Sequence, residues 1–303
     1  MTTLDPAIVS VKPVVLPAPG RGEDLRVRVS APATGQALPV VVFSHGFGWS
    51  MDGYAPLADY WAAHGFAVVQ PTHLDSRTLG LAPDDPRTPS IWRTRVEDLK
   101  RALDGLGRLE AAVPGLGGRL DQGKIAVAGH SWGGQTASML LGARVLGPGG
   151  EPGEDLSDPR VGAGVLLATP GLGGADLTPF AAEHFPFMNP DFTGMTTPAL
   201  VVAGDHDRSP LSVRGPDWFT DPYTLSPGPK SLLTLFGAEH SLGGIVGHDV
   251  AETTDADPAR VALVQRLTWA YLRSALHPGD PAWAAARAEL ARDPGPRGRV
   301  EGA

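Results

Sequence analysis

A serine between glycines is the residue whose surroundings point most directly to chemistry. The segment Gly129-His130-Ser131-Trp132-Gly133-Gly134 has the pattern G-x-S-x-G and follows the apolar run 124–128. In a tight turn from strand to helix, glycines let the elements approach closely while the serine presents its Oγ outward. The N-terminus of the following helix favours negative charge that develops nearby. Ser131 is therefore the candidate nucleophile, and the plainer alternative is a glycine-rich turn with an incidental serine.

A serine hydroxyl needs a base, and the sequence offers a histidine and a carboxylate in suitable positions. The apolar runs 200–204 and 232–236 predict two strands, the first followed by Asp205-His206-Asp207 and the second by a loop that contains His240. The chain order serine, acid, histidine suits residues that meet at the carboxyl ends of a mostly parallel sheet. We predict His240 as the general base for Ser131.

Two aspartates compete for the acid position. Asp207 is preferred because it lies three residues beyond Gly204, where the chain has turned over the edge of the sheet. Asp205 fits a turn or a helix cap better. His206 and Glu239 are expected to face solvent.

The oxyanion of a tetrahedral intermediate needs two N–H donors. The residue after the nucleophile, Trp132, is predicted to supply one, and the glycine-containing loop that follows the run 41–44 is predicted to supply the other through Phe47. His45 and His130 are tempting catalytic candidates, but we expect both to bond backbone groups around these loops.

Apolar runs alternate with amphipathic helical segments, which predicts an α/β fold: a mostly parallel central sheet with helices on both faces. The predicted parallel strands are 40–44, 65–71, 124–129, 161–169, 198–204 and 231–236, and an antiparallel pair is predicted for 8–16 and 24–29. Residues 92–106 predict one amphipathic helix. Asp257 followed by Pro258 predicts the start of the last core helix.

Two long irregular segments are rich in aromatic residues. Residues 171–195 and 208–230 are predicted to form the walls of a substrate cleft, since long loops in a compact domain are usually functional. The side chains assigned to substrate binding are Phe180, Phe185, Phe187, Trp218 and Phe219. Ordinary packing inside a lid explains these aromatic residues equally well. Residues 1–278 are predicted to form a single domain, and 279–303 a short helix followed by a loosely held, flexible tail.

The composition narrows the possible partners and cofactors. Of 303 residues, 42% are hydrophobic, the net charge is -8 and no Lys/Arg run is present, which argues against nucleic acid as a partner. No cysteine occurs, so thiol nucleophiles and disulfides are excluded. No His, Asp and Glu cluster has metal-binding spacing, and we expect neither a metal nor a cofactor. A cytoplasmic location is expected, because neither a signal peptide nor a membrane span is visible.

Several of these segments together resemble the α/β-hydrolase superfamily. In chain order they are His45-Gly46-Phe47-Gly48, residues 65–69, the segment around Ser131, residues 204–207 and Ala238-Glu239-His240. Over residues 38–275 the chain is similar to an esterase branch that contains chlorophyllases, platelet-activating-factor acetylhydrolases, dienelactone hydrolase-like proteins and cutinase-like polyesterases. It departs from the secreted polyesterases, which usually carry a signal peptide and a disulfide. The segment between acid and histidine is also unusually rich in proline and aromatic residues.

The resemblance implies an enzyme that hydrolyses a carboxylic ester through an acyl-enzyme without a cofactor. It gives Ser131, Asp207 and His240 as the catalytic triad, and Phe47 with Trp132 as oxyanion donors. The expected substrate is a moderately apolar small-molecule or lipid-like ester. Acyl transfer, or cleavage of a lactone, thioester or amide, would use the same residues. A non-catalytic binding protein is the remaining alternative, although such a protein is expected to have lost part of the site.

Overall fold

The computed structural model describes residues 7–82, 84–247 and 250–302. Nine of the strands in these residues form one sheet, with the order β1-β2-β4-β3-β5-β7-β9-β10-β11. The strands are β1 (Ile8–Leu16), β2 (Leu25–Pro32), β3 (Leu38–Ser44), β4 (Ala67–Pro71), β5 (Leu120–His130), β6 (Arg144–Val145), β7 (Val161–Leu167), β8 (Pro190–Asp191), β9 (Ala199–Gly204), β10 (Lys230–Leu235) and β11 (Gly298–Gly302). The short strands β6 and β8 form a separate antiparallel pair.

The middle of the sheet is parallel, as the sequence predicts. The six adjacent strands β4, β3, β5, β7, β9 and β10 are parallel to one another. The pairs β1–β2 and β2–β4 are antiparallel and lie at one edge, which confirms the predicted antiparallel pair. Every residue of β3 and β9 is buried. Because both faces of these strands are covered, their sequences are continuous apolar runs and do not alternate.

Helices cover the two faces of this sheet. They are α1 (Ala55–Ala63), α2 (Ile91–Asp104), α3 (Leu106–Ala112), α4 (Trp132–Leu140), α5 (Pro179–His184), α6 (Asp221–Thr224), α7 (Pro258–Leu276) and α8 (Ala282–Arg292). The pair α1 and α7 is in contact, and so is the pair α2 and α4. Asp257 caps α7 by accepting hydrogen bonds from the N–H groups of Ala259 and Arg260, as predicted. No helix in the described ranges is long and apolar enough to span a bilayer.

Two sequence predictions about regular structure are wrong. The single helix predicted for 92–106 is two helices, because Gly105 ends α2 and precedes α3. The tail predicted to be loosely held contains β11, whose residues pair antiparallel with β10 from Leu235↔Gly298 to Ser231↔Gly302. The physical reason is that β10 would otherwise be an edge strand with unpaired backbone groups, and the tail satisfies them.

The two aromatic insertions are tied to each other. The Arg214 guanidinium bonds Asp176 at 3.0 Å and Asp221 at 2.7 Å, so one side chain joins both segments. The indole Nε1–H of Trp218 donates to Leu172 O at 2.7 Å. Asp221 also accepts a hydrogen bond from the backbone N–H of Leu172 at 2.9 Å. The insertions therefore form one packed unit and are not independent loops.

Candidate active site

Ser131 occupies a strained turn between β5 and α4. Its backbone angles are φ 55° and ψ -125°, a region that residues other than glycine rarely adopt. The turn is held by a hydrogen bond from Ser131 N–H to Leu167 O at 2.9 Å, and Ser131 O accepts one from Gly134 N–H at 2.8 Å. This conformation points the hydroxyl away from the sheet, as a nucleophile in such a turn requires.

The glycines around Ser131 are required by close approach. A Cβ on Gly129 would lie 2.1 Å from Gly133 O, and a Cβ on Gly133 would lie 2.0 Å from Ser44 O. A Cβ on Gly134 would lie 1.9 Å from the hydroxyl of Thr169. Strand, turn and helix can pack at these distances only without side chains.

The structure brings Ser131, His240 and Asp207 together in one row. The Ser131 hydroxyl lies 2.9 Å from His240 Nε2, and His240 Nδ1 lies 3.0 and 3.2 Å from the two carboxylate oxygens of Asp207. Asp207 is fully buried, whereas the His240 side chain is 42% exposed. An imidazole held on one side by a buried carboxylate can accept the serine proton on the other.

The residues next to Asp207 and His240 in the sequence are not part of this hydrogen-bonded row. Asp205 is exposed and accepts a hydrogen bond from Gly237 N–H at 2.6 Å, so it fastens the turn before His240. His206 is exposed. Glu239 is half-buried and accepts a hydrogen bond from the hydroxyl of Thr254 at the protein surface.

Two backbone N–H groups beside the serine have no acceptor within the described residues: those of Phe47 and Trp132. The N–H groups on either side of Phe47 are occupied, since Gly46 N–H donates to the hydroxyl of Tyr54 at 2.9 Å and Gly48 N–H donates to Asp75 Oδ2 at 3.0 Å. The rings of Phe47 and Trp132 lie 5.6 Å apart. The arrangement leaves two free donors in adjacent loops, as an oxyanion requires.

His130 connects three loops of the site. Its Nε2–H donates to the backbone oxygen of His240 at 2.8 Å, and its Nδ1 accepts from the Tyr54 hydroxyl at 2.9 Å. Burial, together with the nearby His240, lowers the pKa of His130 to about 3. A neutral imidazole with both nitrogens bonded positions its neighbours, in line with the structural role expected for it.

Arg95 of α2 has a buried guanidinium that contacts the segments around both Phe47 and Trp132, whose N–H groups are free. It bonds His45 O and Asp75 on the Phe47 side, and its Nε donates to the Thr136 hydroxyl at 3.1 Å on the helix that follows Ser131. The guanidinium carbon lies 4.8 Å from the ring centre of Trp132. Burial alone would raise the pKa of Asp75, but Arg95 holds it below its usual value.

A buried network behind the Phe47 loop contains two further histidines. His45 Nδ1–H donates to Gly46 O at 2.7 Å, and His45 Nε2 accepts from His73 N–H at 2.9 Å. His73 bonds the Ser44 hydroxyl and, through Nδ1–H, Asp98 at 3.0 Å. Burial lowers the pKa of His45 to about 4 and that of His73 well below its usual range, and Arg95 acts in the same direction. Both imidazoles are neutral supports.

An apolar cavity of about 460 Å³ lies beside the free N–H groups. Phe47 and Trp132 line it together with Phe185 and Phe187 of the first insertion. The Asp75 carboxylate also lines this cavity, whereas His73 is fully buried and does not line it.

Three of the five aromatic residues assigned to substrate binding do not line this cavity. Trp218 and Phe219 are each 1% exposed; Trp218 packs in the core, and the Phe219 ring lies 5.6 Å from that of His240. Phe180 is 56% exposed and stacks on His184. The large apolar surface of an aromatic side chain favours burial wherever a core is available, which accounts for Trp218 and Phe219.

Arg95 and Tyr54 are the residues whose contribution the sequence reasoning missed. A signal for Arg95 existed: it lies four residues from both Ile91 and Leu99 and therefore shares their buried helix face. A charge on such a face requires buried partners. Within the described ranges, no group of three or more acidic, His or Cys side chains is placed to hold a metal ion.

Known proteins match part of the chain. A family model described as Chlorophyllase matches residues 17–144. Platelet-activating factor acetylhydrolase of Cavia porcellus is 28% identical over 142 residues, covering 36% of this chain and 33% of the relative. Carboxylesterase NlhH of Mycobacterium tuberculosis is 37% identical over 131 residues, covering 41% of this chain and 36% of the relative. Each match thus spans about a third of the relative. The order and direction of the strands are those of an α/β-hydrolase fold, and part of the chain is similar to chlorophyllases, an acetylhydrolase and a carboxylesterase.

Proposed function

We propose that this protein hydrolyses carboxylic esters of moderately apolar acids through an acyl-enzyme on Ser131. The observation that carries the proposal is the row of hydrogen bonds from Ser131 through His240 to Asp207. The names of the relatives, an acetylhydrolase and a carboxylesterase, support the same reaction class. The apolar cavity beside Trp132 supports an apolar substrate.

Each half of the reaction uses the same three side chains. The Ser131 oxygen attacks the ester carbonyl while its proton passes to His240 Nε2, and the Asp207 carboxylate stabilises the imidazolium. The N–H groups of Phe47 and Trp132 bind the oxyanion. His240 returns the proton to the alkoxy oxygen, the C–O bond breaks and the alcohol leaves. Water then attacks the acyl-enzyme, again through His240, and the acid is released with Ser131 restored.

The test combines turnover with covalent labelling. Purified protein is expected to hydrolyse p-nitrophenyl butanoate and to be labelled by a fluorophosphonate probe, and Ser131→Ala is expected to lose both properties. Ser157→Ala is the matched control, because Ser157 is exposed and lies outside the row. A folded Ser131→Ala variant that keeps wild-type turnover or labelling would contradict the proposal.

Other acyl substrates and acceptors are outcomes of the same experiment. If butanol added to the assay yields butyl ester in place of acid, the protein is an acyltransferase that uses the same three side chains. Faster turnover of a lactone, thioester or amide would reassign the substrate. A binding protein on this scaffold would show neither turnover nor labelling.

A further inference from the structure

Two cavities share Phe187 as a lining residue. The first is the cavity of about 460 Å³ beside Trp132. The second, of about 370 Å³, includes Leu146, Leu177 and Ala182 in its wall. Pro186 and Phe187 line both cavities. The Phe187 ring is therefore part of the partition between them.

The Phe187 ring is held in place from two sides. It stacks on Trp132, with ring centres 5.2 Å apart and planes at 20°, and on Trp92, with centres 6.4 Å apart and planes at 16°. The residue is only 8% exposed. Its backbone oxygen accepts a hydrogen bond from Gln135 Nε2 at 2.8 Å. A ring packed in this way keeps its rotamer, so the partition is closed in the structure.

The direction of the proposed reaction assigns the first cavity to the acyl chain. His240 must lie beside the alkoxy oxygen, because it returns the proton to that atom. The first cavity is lined by Phe47 and Trp132, whose N–H groups bind the oxyanion in the proposed reaction, and within the described residues its lining includes neither Ser131 nor His240. The alcohol therefore leaves on the His240 side, and the acyl chain extends toward Phe187.

We propose that Phe187 limits the length of the acyl chain, and that the second cavity is a distal acyl site which the ring closes off. The inference rests on the proposed ester hydrolysis and names its substrate class: esters with short acyl chains that end at the Phe187 ring. The second cavity suits further methylene groups because Leu146 and Leu177 provide apolar contact.

The test is the chain-length profile of Phe187→Ala. In the wild type, kcat/KM is expected to fall from p-nitrophenyl butanoate to the octanoate and dodecanoate esters. Phe187→Ala is expected to raise the dodecanoate-to-butanoate ratio by about tenfold or more, since each buried methylene adds binding free energy. Phe187→Leu is expected to give a smaller shift in the same direction and serves if the alanine variant unfolds. An unchanged ratio in a folded variant would overturn the proposal.

A second substitution tests whether a gain with dodecanoate in Phe187→Ala comes from the second cavity or from a general loosening of the first. Ala182 lines only the second cavity and is exposed, so Ala182→Trp adds an indole there without touching the first. In the Phe187→Ala background it is expected to remove the gain with dodecanoate. A gain that persists would overturn the distal site. Phe180→Ala is the matched control: Phe180 is exposed, belongs to the same insertion and lines neither cavity.

Binding of dodecanoate itself tests the partition without catalysis. Titration followed by tryptophan fluorescence is expected to show about tenfold tighter binding to Phe187→Ala than to the wild type, with butanoate unaffected. Equal dodecanoate affinity in the two proteins would refute the partition. Absence of ester turnover in the wild type would instead refute the proposed function, so the two failures are distinguishable.

Discussion

The hydroxyl of Tyr54 lies 2.9 Å from Gly46 N and 2.9 Å from His130 Nδ1, so one buried phenol joins the glycine loop to the serine turn. His130 extends this link to the backbone of His240. Three separate segments of the site are thereby fixed relative to one another by neutral hydrogen bonds. Such links maintain the positions of catalytic groups, and small displacements of those groups are costly in rate.

Tyr54→Phe removes this link while keeping the aromatic ring. The N–H of Gly46 and Nδ1 of His130 then lose their partner, which costs about 1–3 kcal/mol for each buried group left unsatisfied. We expect kcat for p-nitrophenyl butanoate to fall roughly tenfold with little change in KM, because the glycine loop is less well held. Tyr271→Phe, another buried tyrosine but on α7, is the control. Equal kcat values for the two variants would contradict this role for Tyr54.

Arg95→Lys tests whether one guanidinium holds both free N–H groups in position. Lysine keeps the charge, but its single ammonium nitrogen does not span the positions from which the three guanidinium nitrogens of Arg95 bond Thr136, Asp75 and His45 O. We expect kcat to fall by roughly 100-fold with KM nearly unchanged, which is the loss typical of an impaired oxyanion donor. A merely structural role would lower the melting temperature and leave kcat per active site intact.

The control for Arg95 lies on the same helix. Arg93 is partly exposed and forms an ion pair with Glu154 at the surface. Because exposed ion pairs contribute little, Arg93→Lys is expected to leave both kcat and stability close to wild type.

The sequence predicts the parts of the molecule that local chemistry determines. The buried parallel strands, the cap at Asp257 and the turn around Ser131 each depend on neighbours in sequence. The convergence of Ser131 and His240 follows because strand ends meet at one edge of a parallel sheet.

The features that the sequence does not predict depend on partners distant in the chain. Arg95 is buried only because Asp75, Thr136 and a backbone oxygen surround it. The strand β11 forms because β10 has a free edge, although its own composition is typical of a tail. The burial of Trp218 leaves no polar atom unpaired because Leu172 O accepts its indole hydrogen bond. In each case the residue or strand is visible in the sequence, but its partner is identified only once the chain has folded.

Asp207→Asn and Asp205→Asn distinguish the two aspartates that follow β9. Asp207 faces His240 Nδ1 from a buried position, and an amide there cannot stabilise the imidazolium. We expect a loss in kcat of roughly 1,000-fold or more for Asp207→Asn. Asp205 is exposed and bonds Gly237 N–H, so its replacement is expected to change kcat only a few-fold. Similar losses for both variants would contradict the assignment of Asp207.

The buried histidines predict that stability is lost as pH falls below neutrality. Burial holds the pKa of His45 at about 4, that of His130 at about 3 and that of His73 well below its usual range. In the unfolded chain each imidazole titrates near its ordinary value of about 6.5. Between these values the unfolded chain binds more protons than the native protein, so the stabilisation is fully present above about pH 6.5 and decreases as pH falls.

Urea unfolding measured between about pH 7.5 and pH 5 tests this linkage. Each of the three imidazoles contributes a slope on the order of 1.4 kcal/mol per pH unit in the window below pH 6.5. His130→Asn keeps a hydrogen-bonding side chain but removes one titrating group, so it is expected to lower the slope by about one such contribution. A wild-type free energy of unfolding that is independent of pH over this range would mean that the imidazoles bind as many protons in the native protein as in the unfolded chain, and so become charged below about pH 6.5 in both. The link from Tyr54 through His130 to His240 would then require a different assignment of protons, because a doubly protonated ring cannot accept from the phenol.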